Sequence, residues 1–391
     1  MQLKSVKEAS LANKKVLLRV DFNVPVENGK VTDDTRILGS LPTINYLLEN
    51  QARVIILSHF GRPDGKIMDE FRLKPVALRL QELLPKNKVI YYPYCPGDKG
   101  VENEAGKLKA GEILVLENIR FCPAEEKNDP KFSEEIARLG DLYVNDAFGA
   151  VHRAHASVAG VTQFLPSYAG FLLVKEVTTL SKIMENPTRP FIGIIGGAKI
   201  STKLAVIKNL LSRVDFLLLG GALANTILKA QGIQVGKSLV EEKMIKLATE
   251  LVLTENCLKI PVDIITANEI SETAKTRRRA VGKVGEQEII LDIGPDTVNL
   301  YGMIIRNAKT VVWNGPMGYF EIKKFARGTY DIARDITESQ ANSIVGGGET
   351  IDAIKEVNLL DKFSYVSTGG GAMLEFLEGK MLPGIKPLIR N

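Results

Sequence analysis

Short apolar, β-branched runs alternate with helical patterns along both halves of this chain, and that alternation narrows the fold more than any other feature. In the first half the strand candidates are Val16–Phe22, Val54–Leu57, Val89–Tyr92, Ile113–Leu116 and Leu142–Val144. Between them, Ile37, Leu41, Ile44, Leu47 and Leu48 repeat near the 3.6-residue period, as do Val76, Leu78, Leu80, Leu83 and Leu84. The second half resumes with Phe191–Ile195, Phe216–Leu219, Val262–Thr266, Thr310–Trp313, Ser343–Val345 and Ser364–Val366. Strands alternating with helices imply parallel sheets with helices on both faces. The expectation is an α/β protein with two doubly wound parallel-sheet domains.

The join is legible too. Leu165-Pro166-Ser167 reads as a turn, Phe171 to Met184 as one long helical pattern, and Asn186 to Pro190 as its stop. This predicts a first domain over residues 1–170, an interdomain helix over 171–186 and a second domain over 187–380. A length of 391 residues, 45% of them hydrophobic and 25% charged, is enough for two cores.

Almost every strand of the second half ends in glycine: Gly196-Gly197, Gly220-Gly221, Gly315, Gly346-Gly347-Gly348 and Gly369-Gly370-Gly371. In open α/β sheets ligands bind beyond the carboxyl ends of the strands, and glycines there let a ligand reach backbone amides. In Gly196-Gly197-Ala198-Lys199-Ile200-Ser201-Thr202-Lys203 the two lysines are four apart, which puts them on one helical face, aimed at a phosphate chain. The Walker spacing is absent, and Gly232 to Ser238 is one residue short of it, so that stretch reads as a loop.

The first half carries different chemistry. Arg19, Asp21 and Asn23 fall on one face of the first strand by its period of two. Three polar residues on a buried strand face need partners or a ligand. Arg62, Arg120 and Arg153 follow strands closely, and Arg36 opens the first helix, so the four converge at one sheet edge. Guanidinium forks suit a small substrate carrying phosphate and carboxylate. His59 reads as a binding residue rather than a base. His152 and His155, three apart on a possible helix, lack a third ligand and read as structural or orienting. No G-x-S-x-G, H-E-x-x-H or Cys–His pairing supports a hydrolase.

The mild net charge of +5 fits anionic small molecules better than nucleic acid, and the run Lys275 to Arg279 reads as a solvated loop. Cys95, Cys122 and Cys257 are widely spaced and read as reduced thiols in a cytoplasmic protein. The N-terminus has no secretory pattern, and no apolar run is long enough for a membrane helix. A dinucleotide-dependent oxidoreductase would want G-x-G-x-x-G after its first strand, and none occurs.

Seven segments, in order, resemble the phosphoglycerate kinase family: Arg19–Pro25, His59–Arg62, Glu117–Phe121, His152–Ser157, Gly196–Lys203, Val312–Gly318 and Val366–Ala372. The resemblance spans essentially the whole chain. It implies two α/β domains joined by a helix, with a tail, here 381–391, returning to the first. It also implies reversible phosphoryl transfer between ATP and 3-phosphoglycerate, giving ADP and 1,3-bisphosphoglycerate, in a cytoplasmic monomer that uses Mg²⁺. By resemblance, Asp21, Asn23, Arg36, His59, Arg62, Arg120 and Arg153 would bind 3-phosphoglycerate. Lys199 and Lys203 would contact nucleotide phosphates, with Gly197, Gly220, Gly221, Leu291, Asn314, Pro316 and Glu321 lining the nucleotide side. Gly346, Gly347, Gly348, Glu349 and Thr350, with Gly369 to Gly371, would lie at the phosphates, Glu349 on the Mg²⁺ side. Arg36, Lys199, Lys203, Gly347 and Gly370 would serve catalysis. The chain departs from the family pattern at Glu349, where Asp is usual, at Met373, where Ser is usual, and at Ile290, where many members have a small residue.

Overall fold

A computed structural model describes residues 1–254 and 256–390. The chain forms two compact units, Met1–Ser181 with the segment from Met381 onward, and Lys182–Lys380.

In the first unit, β1 (Lys15–Arg19), β2 (Arg53–Leu57), β3 (Val89–Tyr92), β4 (Ile113–Leu116), β5 (Leu142–Asn145) and β6 (Ser167–Ala169) make one sheet in the order β3-β4-β2-β1-β5-β6. All its pairings are parallel. Val16 and Leu18 enter one core with Ile56, Val54 and Val144, while Leu17 enters another with Ile55, Leu57 and Leu114. Burial on both faces is why these strands read as continuous apolar runs rather than alternating ones. The strand β6 is not expected from the sequence: the turn read at Leu165-Pro166-Ser167 overlaps it only at Ser167, and three residues are too few to show a period. β1 ends at Arg19, so Asp21 and Asn23 lie beyond the strand and not on its face.

The helix Thr35–Glu49 buries Ile37, Ser40, Thr43, Ile44, Leu47 and Leu48, a stripe spaced three and four apart. The connecting helix runs Phe171–Glu185. Buried Asp146, just past β5, accepts from Leu173 N at 3.2 Å, while Thr43 Oγ1 accepts from Phe171 N at 2.9 Å. Together they occupy donors at the start of that helix.

The C-terminal segment packs in the first unit. Gly384 N donates to Val151 O at 2.9 Å, Lys4 N to Leu388 O at 2.8 Å, and Ile389 bridges Leu3. Leu382, Ile385 and Leu388 are buried. Asn391, the end of the expected tail, lies outside the described residues.

The second unit has β7 (Phe191–Ile195), β8 (Phe216–Leu219), β9 (Leu258–Lys259), β10 (Asp263–Ala267), β11 (Arg277–Ala280), β12 (Ile289–Ile293), β13 (Thr310–Asn314), β14 (Asn342–Gly346) and β15 (Tyr365–Val366). Six form a parallel sheet ordered β9-β8-β7-β13-β14-β15. Ile192, Ile194, Val311, Trp313 and Val345 fill the core on one side.

Two expectations fail here. Val262–Thr266 was grouped with the parallel strands, but β10 is the centre of a separate antiparallel sheet, β11-β10-β12. The run Lys275 to Arg279 was read as a loop, but its arginines form β11. Arg277 and Arg279 pair with Glu288 at 3.2 and 2.7 Å, and Arg278 pairs with Asp263 at 2.8 Å. No described helix is long and apolar enough to cross a membrane.

Candidate active site

The carboxyl ends of β1, β2, β4 and β5 carry the charged residues of the first unit. Arg36, in the first turn of its helix, places Nη1 3.0 Å from both oxygens of Asp21. Burial opposes the Asp21 charge, but its cationic surroundings, Arg36 and Arg19 among them, outweigh it and hold the carboxyl below its usual range. Asn23 Oδ1 accepts from Gly61 N at 2.9 Å, and Arg120 Nη1 donates to Gly61 O at 2.6 Å. Gly61 has φ +62°, and a Cβ there would meet the Phe71 ring at 2.3 Å, so glycine is required for the turn that leads to Arg62. Arg62 itself is exposed.

Arg120 is 5% exposed and pairs with Glu126 at 3.0 Å. Burial, and then the neighbouring charge of Arg153, push its pKa down to about 10. Burial also drives the His59 pKa well below its ordinary value; Asp21 opposes this, while Arg19, Arg120 and Arg153 reinforce it. His152 and His155 are shifted down likewise, His155 to about 4. They lie in a turn after Phe148–Ala150 and not on a helix, with Arg153 Nε 3.2 Å from His152 Nε2. Asp21, Asn23, Arg36, His59, Arg120 and Arg153 thus share one neighbourhood: a basic, partly buried cluster with neutral imidazoles.

Sequence reasoning missed the support beneath it. Glu125, fully buried, accepts from Ser157 N at 2.9 Å and Ser157 Oγ at 2.6 Å. Pro123-Ala124-Glu125-Glu126 looks like any acidic first turn, and nothing local marks the first glutamate as buried.

In the second unit the glycine turns after β7, β8 and β13 meet. Gly197 N donates to Pro316 O at 2.9 Å and Gly221 N to Met317 O at 2.8 Å. Beside them is a cavity of about 230 Å³ whose walls include Gly197, Gly221, Ile290, Leu291, Pro316, Glu321 and Glu349. Its lining is mainly apolar with a few polar groups, which suits a flat heterocycle bearing a polar tail.

Lys199 and Lys203 do not share a helical face. The helix begins at Leu204, and both lysines sit in the turn before it. Lys199 is exposed. Lys203 folds back: its Nζ donates to Gly196 O at 2.8 Å and Asn314 Oδ1 at 2.9 Å. Burial pushes its pKa down to about 8, against the pull of Glu349. Asn314 Nδ2 in turn donates to Gly346 O at 2.9 Å, and Gly315 N to Thr350 Oγ1 at 2.7 Å. Lys203 is therefore tied to the triple glycine through one asparagine.

Gly347, at φ +98°, caps the helix Gly348–Glu356, and a Cβ on Gly370 would sit 3.2 Å from Gly347 Cα. Glu349 lies inside the first turn, exposed, so it is not the capping residue. The two other departures have structural accounts. Met373 is fully buried behind Gly346, where a Cβ would meet its sulfur at 2.2 Å. Ile290 is among the residues that line the cavity, where it takes up room a smaller side chain would leave.

Comparison with known proteins decides the family. The phosphoglycerate kinase family profile matches residues 6–380. The chain belongs to the phosphoglycerate kinase family. The phosphoglycerate kinase of Moorella thermoacetica is 52% identical over 388 residues, covering 98% of each chain. That of a Roseiflexus species is 50% identical over 392 residues, covering 99% of each. The phosphoglycerate kinase structure from Coxiella burnetii superposes with a TM-score of 0.88 at 43% identity, covering 99% of each chain. That from Pyrococcus horikoshii gives 0.86 at 32% identity, covering 99% of this chain and 98% of the other. As a family member the chain is a phosphotransferase acting between ATP and the carboxyl group of 3-phosphoglycerate.

Proposed function

We propose that the first unit binds 3-phosphoglycerate through Asp21, Asn23, Arg36, His59, Arg62, Arg120 and Arg153. The nucleotide binds the second unit, with its base in the cavity near Leu291, Pro316 and Glu321. Its phosphates lie along Lys199, Lys203 and the amides of Gly197, Gly220, Gly221, Gly346 to Thr350 and Gly370. The observation that carries the acid half is buried Arg120, whose pKa burial and a second guanidinium depress; an arriving anion relieves that repulsion.

A carboxylate oxygen of 3-phosphoglycerate attacks the γ-phosphorus of ATP, and the bond from phosphorus to the bridging oxygen breaks. ADP leaves with that electron pair, and 1,3-bisphosphoglycerate forms. No proton moves, so no general base is needed, in keeping with the lowered His59 pKa. Catalysis then rests on in-line alignment and on cancelling the charge of the transferring group. Arg36, Lys199, Lys203 and the Gly347 and Gly370 amides supply that charge.

No cluster of three His, Cys, Asp or Glu side chains is arranged for a metal among the described residues. Two exposed carboxylates, Glu321 and Glu349, line the cavity, and Glu349, beside the triple glycine, fits a Mg²⁺ that arrives with the nucleotide and keeps waters and phosphate oxygens as ligands. Bound there, the ion would neutralise phosphate charge. With one ligand on each unit, the units close to align them and exclude water. The enzyme works as a cytoplasmic monomer without nucleic acid or membrane.

The test is chemical. Folded protein given Mg-ATP and 3-phosphoglycerate makes an acyl phosphate that hydroxylamine traps. Absence of hydroxamate with both ligands bound rejects the mechanism.

A further inference from the structure

His59 is 8% exposed and follows β2 within the basic cluster. Its Nδ1 lies 3.1 Å from Arg19 Nη2. A guanidinium has only donors, so this contact leaves Nδ1 the acceptor. A proton on Nδ1, whether in a neutral ring or an imidazolium, sets N–H against N–H. On the opposite edge, Nε2 is 3.8 Å from Asp21 Oδ1, too far for a hydrogen bond. Asp21 is already engaged by Arg36 Nη1 and Asn23 N. The Nε2 proton therefore remains for an arriving oxygen. Arg120 and Arg153 complete the charged groups around the ring.

Arg19 has little freedom to turn. It is 1% exposed; its Nε donates to Ser157 Oγ at 2.9 Å and another nitrogen donates to Val20 O. Ser157 Oγ passes its own proton toward Glu125 Oε1 at 2.6 Å. One hydroxyl thus joins a buried guanidinium to a buried carboxylate. Ser58 Oγ donates to His59 O at 3.0 Å and accepts from Phe22 N at 3.0 Å, fixing the ring's backbone as well. Burying such a network brings little stability over apolar packing, so its return is orientation.

We propose that Arg19, held by Ser157 and Glu125, is a positioning residue that fixes His59 as the neutral Nε2–H tautomer, so the site meets its substrate with a donor and not a base. The inference rests on the reading of this face as the acid-substrate site.

The chain has three histidines, so ring-nitrogen NMR of the full chain resolves three ring systems, and His59→Asn assigns the one in question. Wild type should show Nε2 protonated and Nδ1 bare across pH 6–8. Arg19→Met combined with Glu125→Gln leaves no lone buried charge. It should give a tautomer mixture that titrates nearer the ordinary histidine range. Its KM for 3-phosphoglycerate should rise about tenfold, the worth of one donor to a charged oxygen, with kcat changed less. Ser157→Ala should shift the ring the same way by a smaller amount, and reads the effect if the double variant does not fold. A wild-type ring protonated on Nδ1, or one unchanged in every folded variant, overturns the proposal. Adding 3-phosphoglycerate should move the Nε2 resonance. If the ring behaves as stated but that resonance stays put, the substrate assignment fails while the role of Arg19 stands.

Discussion

Lys203 should take up a proton when nucleotide binds, and the amount follows from its surroundings. Burial lowers its pKa from 10.5 to about 8. That shift corresponds to about 3 kcal/mol against the charged form. Two oxygens, Gly196 O and Asn314 Oδ1, hold the ammonium, but neither is a full negative charge. In the free enzyme at pH 8 roughly half the molecules carry the cation. Phosphates beside Nζ raise the pKa well above 8, so binding at pH 8 draws in about 0.5 proton. At pH 7 the uptake falls to about 0.1, and at pH 6 it vanishes. Titration calorimetry with ADP in buffers of different ionisation enthalpy reads this number directly, and Lys203→Met subtracts every other group. Nucleotide affinity should weaken as pH climbs through 8, and the variant should lack that slope. Zero uptake at pH 8, or equal uptake in the variant, would refute the pairing of a depressed pKa with a phosphate contact. The folded chain has lost this proton between pH 8 and 10.5 while the unfolded chain keeps it, so stability should rise with pH across that window.

Arg36→Ala should cut kcat by ~10²–10³ while nucleotide Kd stays near wild type, since it removes a donor to the transferring group; an unchanged kcat ends that assignment. Glu349→Gln should raise the Mg²⁺ needed for half-maximal rate and leave the 3-phosphoglycerate KM nearly fixed; a change confined to melting temperature would make its role structural. Small-angle scattering should show compaction with both ligands exceeding that with either alone, and an unchanged radius under double saturation argues against closure. Asp146 is pushed up to about 7 by burial, so the folded chain holds a proton there that the unfolded chain releases above its usual 3.8. Its contribution to stability is greatest below pH 3.8 and is lost as pH rises through 7; Asp146→Asn should flatten that part of the urea-midpoint profile, and a slope that survives points elsewhere.

The sheet strands were legible because both faces of each sheet are covered, which turns whole strands apolar. Glycines at strand ends marked the edge beside the cavity for a similar reason: a turn pressed against another turn has no room for a side chain, as Gly196 against Pro316 O shows. What escaped was whatever depends on distant partners. β10 has the composition of a parallel strand, and only its neighbours β11 and β12 make it antiparallel. β11 is charged on both faces and stands because Glu288 and Asp263 meet its arginines. Spacing put Lys199 and Lys203 on one helical face, yet Lys203 turns inward to an asparagine 111 residues away. The arginines of the basic cluster could be read from their place after strands. Glu125 beneath them could not.

The return of the C-terminal segment to the first unit has a consequence during synthesis. Residues 381–390 are made only after all of Lys182–Lys380. At ~5–20 residues per second, roughly 10–40 s separate the first unit's main body from its closing piece. Through that interval the groove that will take Leu382, Ile385 and Leu388 is bare, and Val151 O lacks the amide of Gly384. By its end the second unit has every residue it needs. At that moment a nascent chain carries all of the second unit while the first still has an open apolar seam, and it is that seam a chaperone would meet on the ribosome.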